Sequence, residues 1–257
     1  DCRESNPKCC LLRRSPVAES LVTMFPHDRG IKIPAGLFGH LLESTGRCIY
    51  DGVWVGEDSP IPNDDGLRLD TIEAYRQLKV PNVRLGGAAG EYYHWREGIG
   101  PRSQRRKSRN LFWGGYDSNH FGTDEFLRWC EAIGAEPMLQ VNVATGDRRE
   151  ALDWMEYCNA SPPSELAAER ARNGHPEPYG VKYWQIGNEN HLLHTPEEYG
   201  REVRRFGTYM RQAELDARLI VRGTWNPASD FNQRLLEYLG DQHYLIDLLS
   251  LHCYIDP

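Results

Sequence analysis

The sequence lacks several features that mark common classes of protein. It has no CxxC pair, no HExxH motif, no apolar run of 18 residues and no hydrophobic signal segment at its N-terminus. These absences argue against a zinc ribbon, a zincin protease, a transmembrane helix and a secretory leader. We therefore expect no metal, no cofactor, no membrane contact, reduced thiols and a cytoplasmic location. Secretion stays open because the sequence begins at Asp1 rather than at methionine, so a segment upstream is expected.

An excess of positive charge is also missing. The formal net charge is -7, which repels polyphosphate and predicts no nucleic-acid partner. One basic segment, Pro101 to Asn110, contains four arginines and one lysine. Because no helical periodicity accompanies these charges, the segment is interpreted as a solvated loop rather than a surface for an acidic polymer.

Apolar runs alternate with helical patterns over most of the chain, which is typical of βα units around a parallel sheet. Strands are predicted at 31–42, 82–87, 136–143, 182–189, 218–225 and 245–254. Helices are predicted at 66–78, 123–133, 148–158, 164–174, 195–215 and 232–239. Thr123 and Thr195 are predicted as N-caps, and Gly134 is predicted to end a helix.

Six such units predict an α/β fold, an incomplete (β/α)8 TIM barrel over residues 31–257 with about six of its eight units. Residues 1–20 are predicted to be an irregular tail. An open doubly wound sheet is the alternative. Its phosphate loop would have to be Gly86 to Gly90, which matches G-x-G-x-x-G poorly and precedes no helix directly.

Polar side chains cluster where the predicted strands end. They are Glu43, Arg84, Asn142, Asn188, Glu189, Asn190, His252 and Tyr254. In a parallel barrel all these ends open onto one face, so their coincidence predicts a functional site there. Any one of them, taken alone, is better explained as an ordinary residue that ends a strand or forms a turn.

Glu189 is the candidate for acid–base chemistry. Cleavage of a glycosidic bond requires a proton donor and an opposing carboxylate. Burial among apolar residues favours the protonated form of a carboxyl group, and Glu189 follows such a strand. Asn188 is placed to donate a hydrogen bond to a sugar hydroxyl. No acid in a comparable position occurs on the fifth or sixth predicted strand.

Two other chemistries receive less support. His191 and His194 stand three residues apart before Glu197 and Glu198, but they precede the cap at Thr195, so a shared helical face for a metal is not predicted. Cys253 neighbours His252 on a strand, where adjacent side chains point to opposite faces, which argues against a cysteine nucleophile.

Four segments together resemble the glycoside hydrolase family 51 α-L-arabinofuranosidases. They are "GLFGHLLESTGR", "YYHWREGIGP", "NGHPEPYGVKYWQIGNEN" and "LLSLHCY", and the resemblance covers about residues 21–257. It implies a (β/α)8 barrel joined to a β-sandwich, of which residues 21–30 would be a single strand. It also implies retaining, exo-acting release of terminal arabinofuranose from arabinoxylan and arabinan oligosaccharides, and a homo-oligomeric full-length form.

By this resemblance Glu189 matches the general acid/base. The matching substrate-binding residues are Glu43, Arg84, Asn188, His252 and Tyr254. Ala88 and Ser44 depart from the family pattern, which expects an asparagine and a histidine there. The family's nucleophile follows a seventh strand, beyond the residues of this sequence.

The 257-residue chain alone is therefore expected to have negligible activity and to pair through open strand edges. Two alternatives stay open. One is a related glycosidase acting on β-linked xylan or glucan, and the other is a non-catalytic sugar-binding protein.

Overall fold

The computed structural model describes Thr23, residues 30–189 and residues 194–253. The chain divides into two units, residues 1–34 and 35–257. Of the first unit, the structure describes Thr23 and residues 30–34, which are exposed and have no regular structure. The predicted tail at 1–20 lies outside the described residues, and so does the predicted strand at 21–30 apart from Thr23 and Gly30.

Among the described residues of the second unit, six parallel strands form the main sheet. They are β1 (His40–Leu42), β2 (Asn82–Leu85), β3 (Glu136–Val141), β4 (Tyr183–Ile186), β5 (Arg218–Arg222) and β6 (Leu248–Ser250). Their order in the sheet is their order in the chain. A doubly wound sheet reverses its strand order at a switch point, so that alternative is wrong, and the sheet fits part of a TIM barrel.

Helices connect the strands. They are α1 (Leu69–Leu78), α2 (Thr123–Ile133), α3 (Arg148–Asn159), α4 (Glu165–Arg172), α5 (Pro196–Ala213) and α6 (Phe231–Leu239). Among the helices that the structure describes, none is long and apolar enough to cross a membrane. Short antiparallel ladders lie in the loops after β1 and β2: Asn63–Asp64 with Leu67–Arg68, and Ser108–Arg109 with Tyr116–Asp117.

Two of the three predicted helix boundaries are confirmed. Thr195 caps α5 through its hydroxyl, which accepts a hydrogen bond from the Glu198 amide, and Gly134 ends α2 in the left-handed conformation. The prediction of Thr123 as an N-cap is wrong, because Gly122 occupies that position. The Thr123 hydroxyl accepts a hydrogen bond from the Trp154 indole at 3.0 Å instead.

The first and last strands are shorter than predicted. Residues 35–38 form a 3-10 turn, and only His40–Leu42 pair with β2. The Asn82 side chain donates a hydrogen bond to the Gly36 carbonyl at 3.1 Å. A longer strand would need this carbonyl as an acceptor for its own backbone ladder. At the other edge, Leu248–Ser250 are the residues that pair with β5 in the described part of the predicted strand, which ends at Cys253.

The sheet has one apolar and one polar face. On the apolar face, Trp184 and Ile186 pack with Trp154 and Phe206 in the main core between sheet and helices. Successive side chains of a strand point to opposite faces. The opposite, inner face therefore receives the buried polar side chains of Arg84, Gln140, Gln185 and Arg222.

The basic segment after β2 is only partly the solvated loop that its composition predicts: Arg106, Lys107 and Arg109 are exposed, whereas Arg102 and Arg105 are not. Arg105 is only 3% exposed at its side chain and pairs with the equally buried Glu125 at 2.8 Å. Arg102 bridges Glu57, Asp65 and Glu125. The solvated-loop interpretation is therefore wrong for Arg102 and Arg105, which tie the segment to α2 and to the loop after β1.

We expect the 257-residue chain to self-associate. Within the described residues, β1 and β6 each pair on one side only, and Leu41, Leu248 and Leu251 beside these edges are 42%, 46% and 42% exposed. Unpaired edges with apolar side chains promote association. Analytical ultracentrifugation at micromolar concentration should show oligomers, and fewer for a Leu251→Lys variant. A monomer that the variant leaves unchanged would contradict the prediction.

Candidate active site

Glu189 lies in a sharp turn directly after β4. Gly187 and Glu189 both have left-handed backbone conformations, with φ of 70° and 41°. This conformation costs a residue with a side chain about 1–2 kcal/mol, so it persists only where the surroundings enforce it. Strained residues of this kind concentrate at functional sites.

The Glu189 carboxyl group contacts His252 beyond the end of β6. His252 Nδ1 lies 2.9 Å from Glu189 Oε1, and the two side chains are 16% and 22% exposed. Burial lowers the pKa of His252, Glu189 raises it, and Arg84 and Arg222 lower it further, with a net decrease. In one neutral tautomer of His252, Nδ1 donates a hydrogen bond to the ionised carboxylate of Glu189. In the other neutral tautomer, Nδ1 accepts a hydrogen bond from the protonated carboxyl group.

This lowered pKa predicts a pH dependence of stability. In the unfolded chain the His252 pKa returns to about 6.5, so the unfolded state binds more protons as pH falls through that value. The free energy of unfolding should therefore fall more steeply between about pH 7 and pH 5 in the parent than in a His252→Asn variant. Chemical denaturation at each pH measures this, with His243→Asn as the surface control. Parallel curves for parent and His252→Asn would refute it.

Arg84 connects the inner face of β2 to the end of β4. Its Nη1 donates to Gln185 Oε1 at 2.9 Å and to Asn188 Oδ1 at 3.3 Å. Arg84 and Asn188 are 8% and 4% exposed, so these bonds form away from bulk water. The guanidinium therefore fixes the orientation of the Asn188 amide beside Glu189.

Glu43 lies directly after β1 and is held by the turn that follows β2. Its Oε1 accepts hydrogen bonds from the Ala89 amide at 3.2 Å and from the Trp113 indole at 2.9 Å. A Cβ atom on Gly87, whose φ is 93°, would lie 2.2 Å from the Glu43 carboxyl carbon. Glycine is thus required at position 87 both for its backbone conformation and for the approach of this carboxylate.

Several residues of this region were missed by sequence reasoning. Gln140 exchanges two hydrogen bonds with the Gly87 backbone, at 2.8 and 3.1 Å. Gln185, Arg222 and Glu91 are buried beside the residues described above. The signal was present, because "EPMLQV", "YWQI" and "RLIVR" each place a polar residue within an otherwise apolar strand. Such a residue indicates a strand with one polar face.

Other candidates have local roles or lie outside the described residues. Asn142 forms a turn in which its Oδ1 accepts from the Ala144 and Thr145 amides, as the turn interpretation predicted. The Ser44 hydroxyl donates to Asp117 at 2.6 Å. Tyr254 and Asn190 lie outside the described residues.

The acids after His194 serve helix α5. Glu198 accepts from the Thr195 amide, and Glu197 pairs with Arg234 at 2.8 Å. In the part of the chain that the structure describes, no group of three or more histidine, cysteine or acidic side chains is arranged to hold a metal ion. Cys48, Cys130, Cys158 and Cys253 are free thiols, and burial raises the pKa of Cys130 and Cys158.

Comparison with known families gives a match over most of the chain. Residues 74–255 match the family described as the α-L-arabinofuranosidase 1 domain. The chain is 37% identical to α-L-arabinofuranosidase C of Emericella nidulans over 247 residues, covering 91% of this chain and 49% of that protein. It is 38% identical to the intracellular exo-α-L-arabinofuranosidase of Bacteroides ovatus over 245 residues, covering 92% and 47%.

Solved structures agree. An arabinose complex of the Thermotoga maritima α-L-arabinofuranosidase superimposes with a TM-score of 0.78 at 41% identity, over 84% of this chain and 45% of that chain. The family 51 arabinofuranosidase of Xanthomonas axonopodis gives 0.82 at 34% identity, over 87% and 46%. The chain thus spans about half the length of the relatives it matches. The 257 residues belong to the glycoside hydrolase family 51 α-L-arabinofuranosidases.

Proposed function

We propose that this chain provides the acid/base half of a retaining, exo-acting α-L-arabinofuranosidase site. The observation that carries the proposal is the contact between Glu189 and His252, formed at the carboxyl ends of β4 and β6 beside Arg84 and Asn188. Active sites of TIM barrels lie at this face. The six βα units would be six of the eight in a closed barrel.

In the proposed reaction Glu189 acts twice. Its protonated form gives a proton to the glycosidic oxygen as the bond to the leaving group breaks, while an opposing carboxylate forms a covalent bond to the sugar. Glu189, now ionised, then takes a proton from a water whose oxygen bonds to the anomeric carbon as the bond from that carbon to the opposing carboxylate breaks, which releases arabinose. The opposing carboxylate would follow a seventh strand, outside these 257 residues. His252 keeps Glu189 in place in both protonation states.

The remaining residues are proposed to bind the terminal arabinofuranose. They are Glu43, Arg84, Asn188, His252 and Tyr254. Clustered charged and amide groups favour a ligand rich in hydroxyl groups, because each hydroxyl can both donate and accept a hydrogen bond. The substrate class would be arabinose-containing oligosaccharides of arabinoxylan and arabinan.

Several further expectations stay predictions. The 257-residue chain alone should have negligible activity, and the full-length form should be a homo-oligomer that binds neither nucleic acid nor membrane. A cytoplasmic location is supported by the name of the Bacteroides ovatus relative, which is described as intracellular.

The proposed function is tested by the sugar that is released. The protein translated from the complete reading frame should release arabinose from arabinoxylan oligosaccharides, as measured by anion-exchange chromatography of the products. Release of xylose or glucose instead would favour a related glycosidase on β-linked xylan or glucan. Calorimetric binding of arabino-oligosaccharides without any turnover would favour a sugar-binding protein and contradict the enzymatic proposal.

A further inference from the structure

Glu91 is a buried carboxylate next to the candidate active site, and it takes no part in the proposed proton transfers. It ends the 3-10 turn Ala88–Glu91, whose Ala89 amide binds Glu43, and it is 3% exposed. Its Oε1 accepts a hydrogen bond from the backbone amide of Asn188. Burying a carboxylate is unfavourable unless it is paired and hydrogen-bonded, so its position requires a compensating interaction.

The bonded amide belongs to the peptide bond between Gly187 and Asn188, one peptide before the one that joins Asn188 to Glu189. The Glu91 carboxylate therefore holds the backbone between Gly187 and Glu189, the two residues with left-handed φ. A hydrogen bond to a charged acceptor is roughly twice as strong as one between neutral groups. It is suited to maintaining a backbone conformation that would otherwise relax.

Tyr199 on α5 supports the same strand end. Its hydroxyl donates to the Ile186 carbonyl at 2.5 Å and accepts from the Arg222 amide at 2.9 Å, which links the ends of β4 and β5. Burial raises the pKa of Tyr199, and the nearby charges of Glu91 and Arg222 act on it in opposite directions.

We propose that Glu91 is a positioning residue that fixes the peptide of Asn188 and thereby aims the carboxyl group of Glu189. Glu91 makes this contact from the loop after β2, so it connects the turn that holds Glu43 to the turn that holds Glu189. Its consequence for catalysis rests on the proposed function. Its consequence for the backbone does not.

Amide hydrogen exchange of the isotope-labelled 257-residue chain, followed by NMR, tests the backbone contact. In Glu91→Ala the Asn188 amide should exchange about tenfold faster, since it loses a charged acceptor. In Glu91→Gln the Asn188 amide proton resonance should move upfield, because a neutral acceptor forms a weaker bond. Glu97→Ala, in the same loop but paired with Arg106, should change neither quantity.

The proposal is overturned if exchange and chemical shift of Asn188 equal those of the parent in the folded variants. If Glu91→Ala fails to fold, the chemical shift in Glu91→Gln decides by itself. In the protein from the complete reading frame, Glu91→Gln should lower kcat on arabino-oligosaccharides severalfold while KM stays within about twofold. A parent that releases no arabinose would refute the proposed function, whereas the exchange result would still decide the role of Glu91.

Discussion

Replacing Glu189 by glutamine is expected to lower arabinose release from natural oligosaccharides by between about a hundredfold and ten-thousandfold, the usual contribution of a positioned acid/base. The measurement is kcat/KM of the protein translated from the complete reading frame. Glutamine keeps the size of the side chain and a hydrogen bond to His252 Nδ1, but it cannot deliver a proton. The loss therefore reports proton transfer rather than a cavity or an unpaired partner.

The leaving group distinguishes this role from a structural one. The glycosidic oxygen of a natural oligosaccharide is a poor leaving group unless it receives a proton, whereas para-nitrophenolate leaves without protonation. The formation of the covalent intermediate from para-nitrophenyl α-L-arabinofuranoside should therefore be nearly as fast in Glu189→Gln as in the parent. Glu202→Gln, whose partner is Arg205 on the surface of α5, is the matched control and should behave as the parent. Equal losses on both substrates would show that Glu189 is not the proton donor.

Replacing Gly87 by alanine should produce the second largest effect. The added methyl group would occupy the position of the Glu43 carboxylate and displace it from the Ala89 amide and the Trp113 indole. Hydrogen bonds to charged groups contribute about 1.5–3 kcal/mol. The affinity for arabinose should therefore fall by between about tenfold and a hundredfold, as measured by calorimetry.

Gly100→Ala is the control that separates the steric clash with Glu43 from the cost of backbone strain. Gly100 also has a positive φ of 72°, but the atom nearest to an added Cβ atom would lie 4.0 Å away. Both variants should lose about 1–3 kcal/mol of stability through the positive φ that alanine would have to adopt. Only Gly87→Ala should also lose affinity. Similar sugar binding by both variants would contradict the assignment of Glu43 to the sugar site.

The parallel sheet could be predicted because its signal is local. Each strand is an apolar run, each helix has its own period, and caps such as Thr195 act within one turn. Strand ends were less predictable. Whether residues 31–42 pair along their whole length depends on Asn82, which lies 46 residues after Gly36 and whose side chain donates to the Gly36 carbonyl.

The candidate site was predictable only in part. Glu189, His252 and Arg84 stand at strand ends, and a parallel barrel brings such ends together. The polar inner face was missed because Gln140 and Arg222 each interrupt an apolar strand only once. Glu91 was missed because nothing in "GGAAGEYYHW" shows that its carboxylate reaches a backbone amide 97 residues later in the chain.

Azide trapping tests the central claim most directly. In a retaining enzyme whose acid/base is removed, the covalent intermediate still forms from an activated aryl glycoside, and azide then attacks it without needing a general base. Glu189→Gln in the protein from the complete reading frame should therefore be accelerated by azide and yield α-L-arabinofuranosyl azide, with retained configuration, by NMR. The inverted β-azide would identify Glu189 as the nucleophile, and the absence of any azide product would contradict the account.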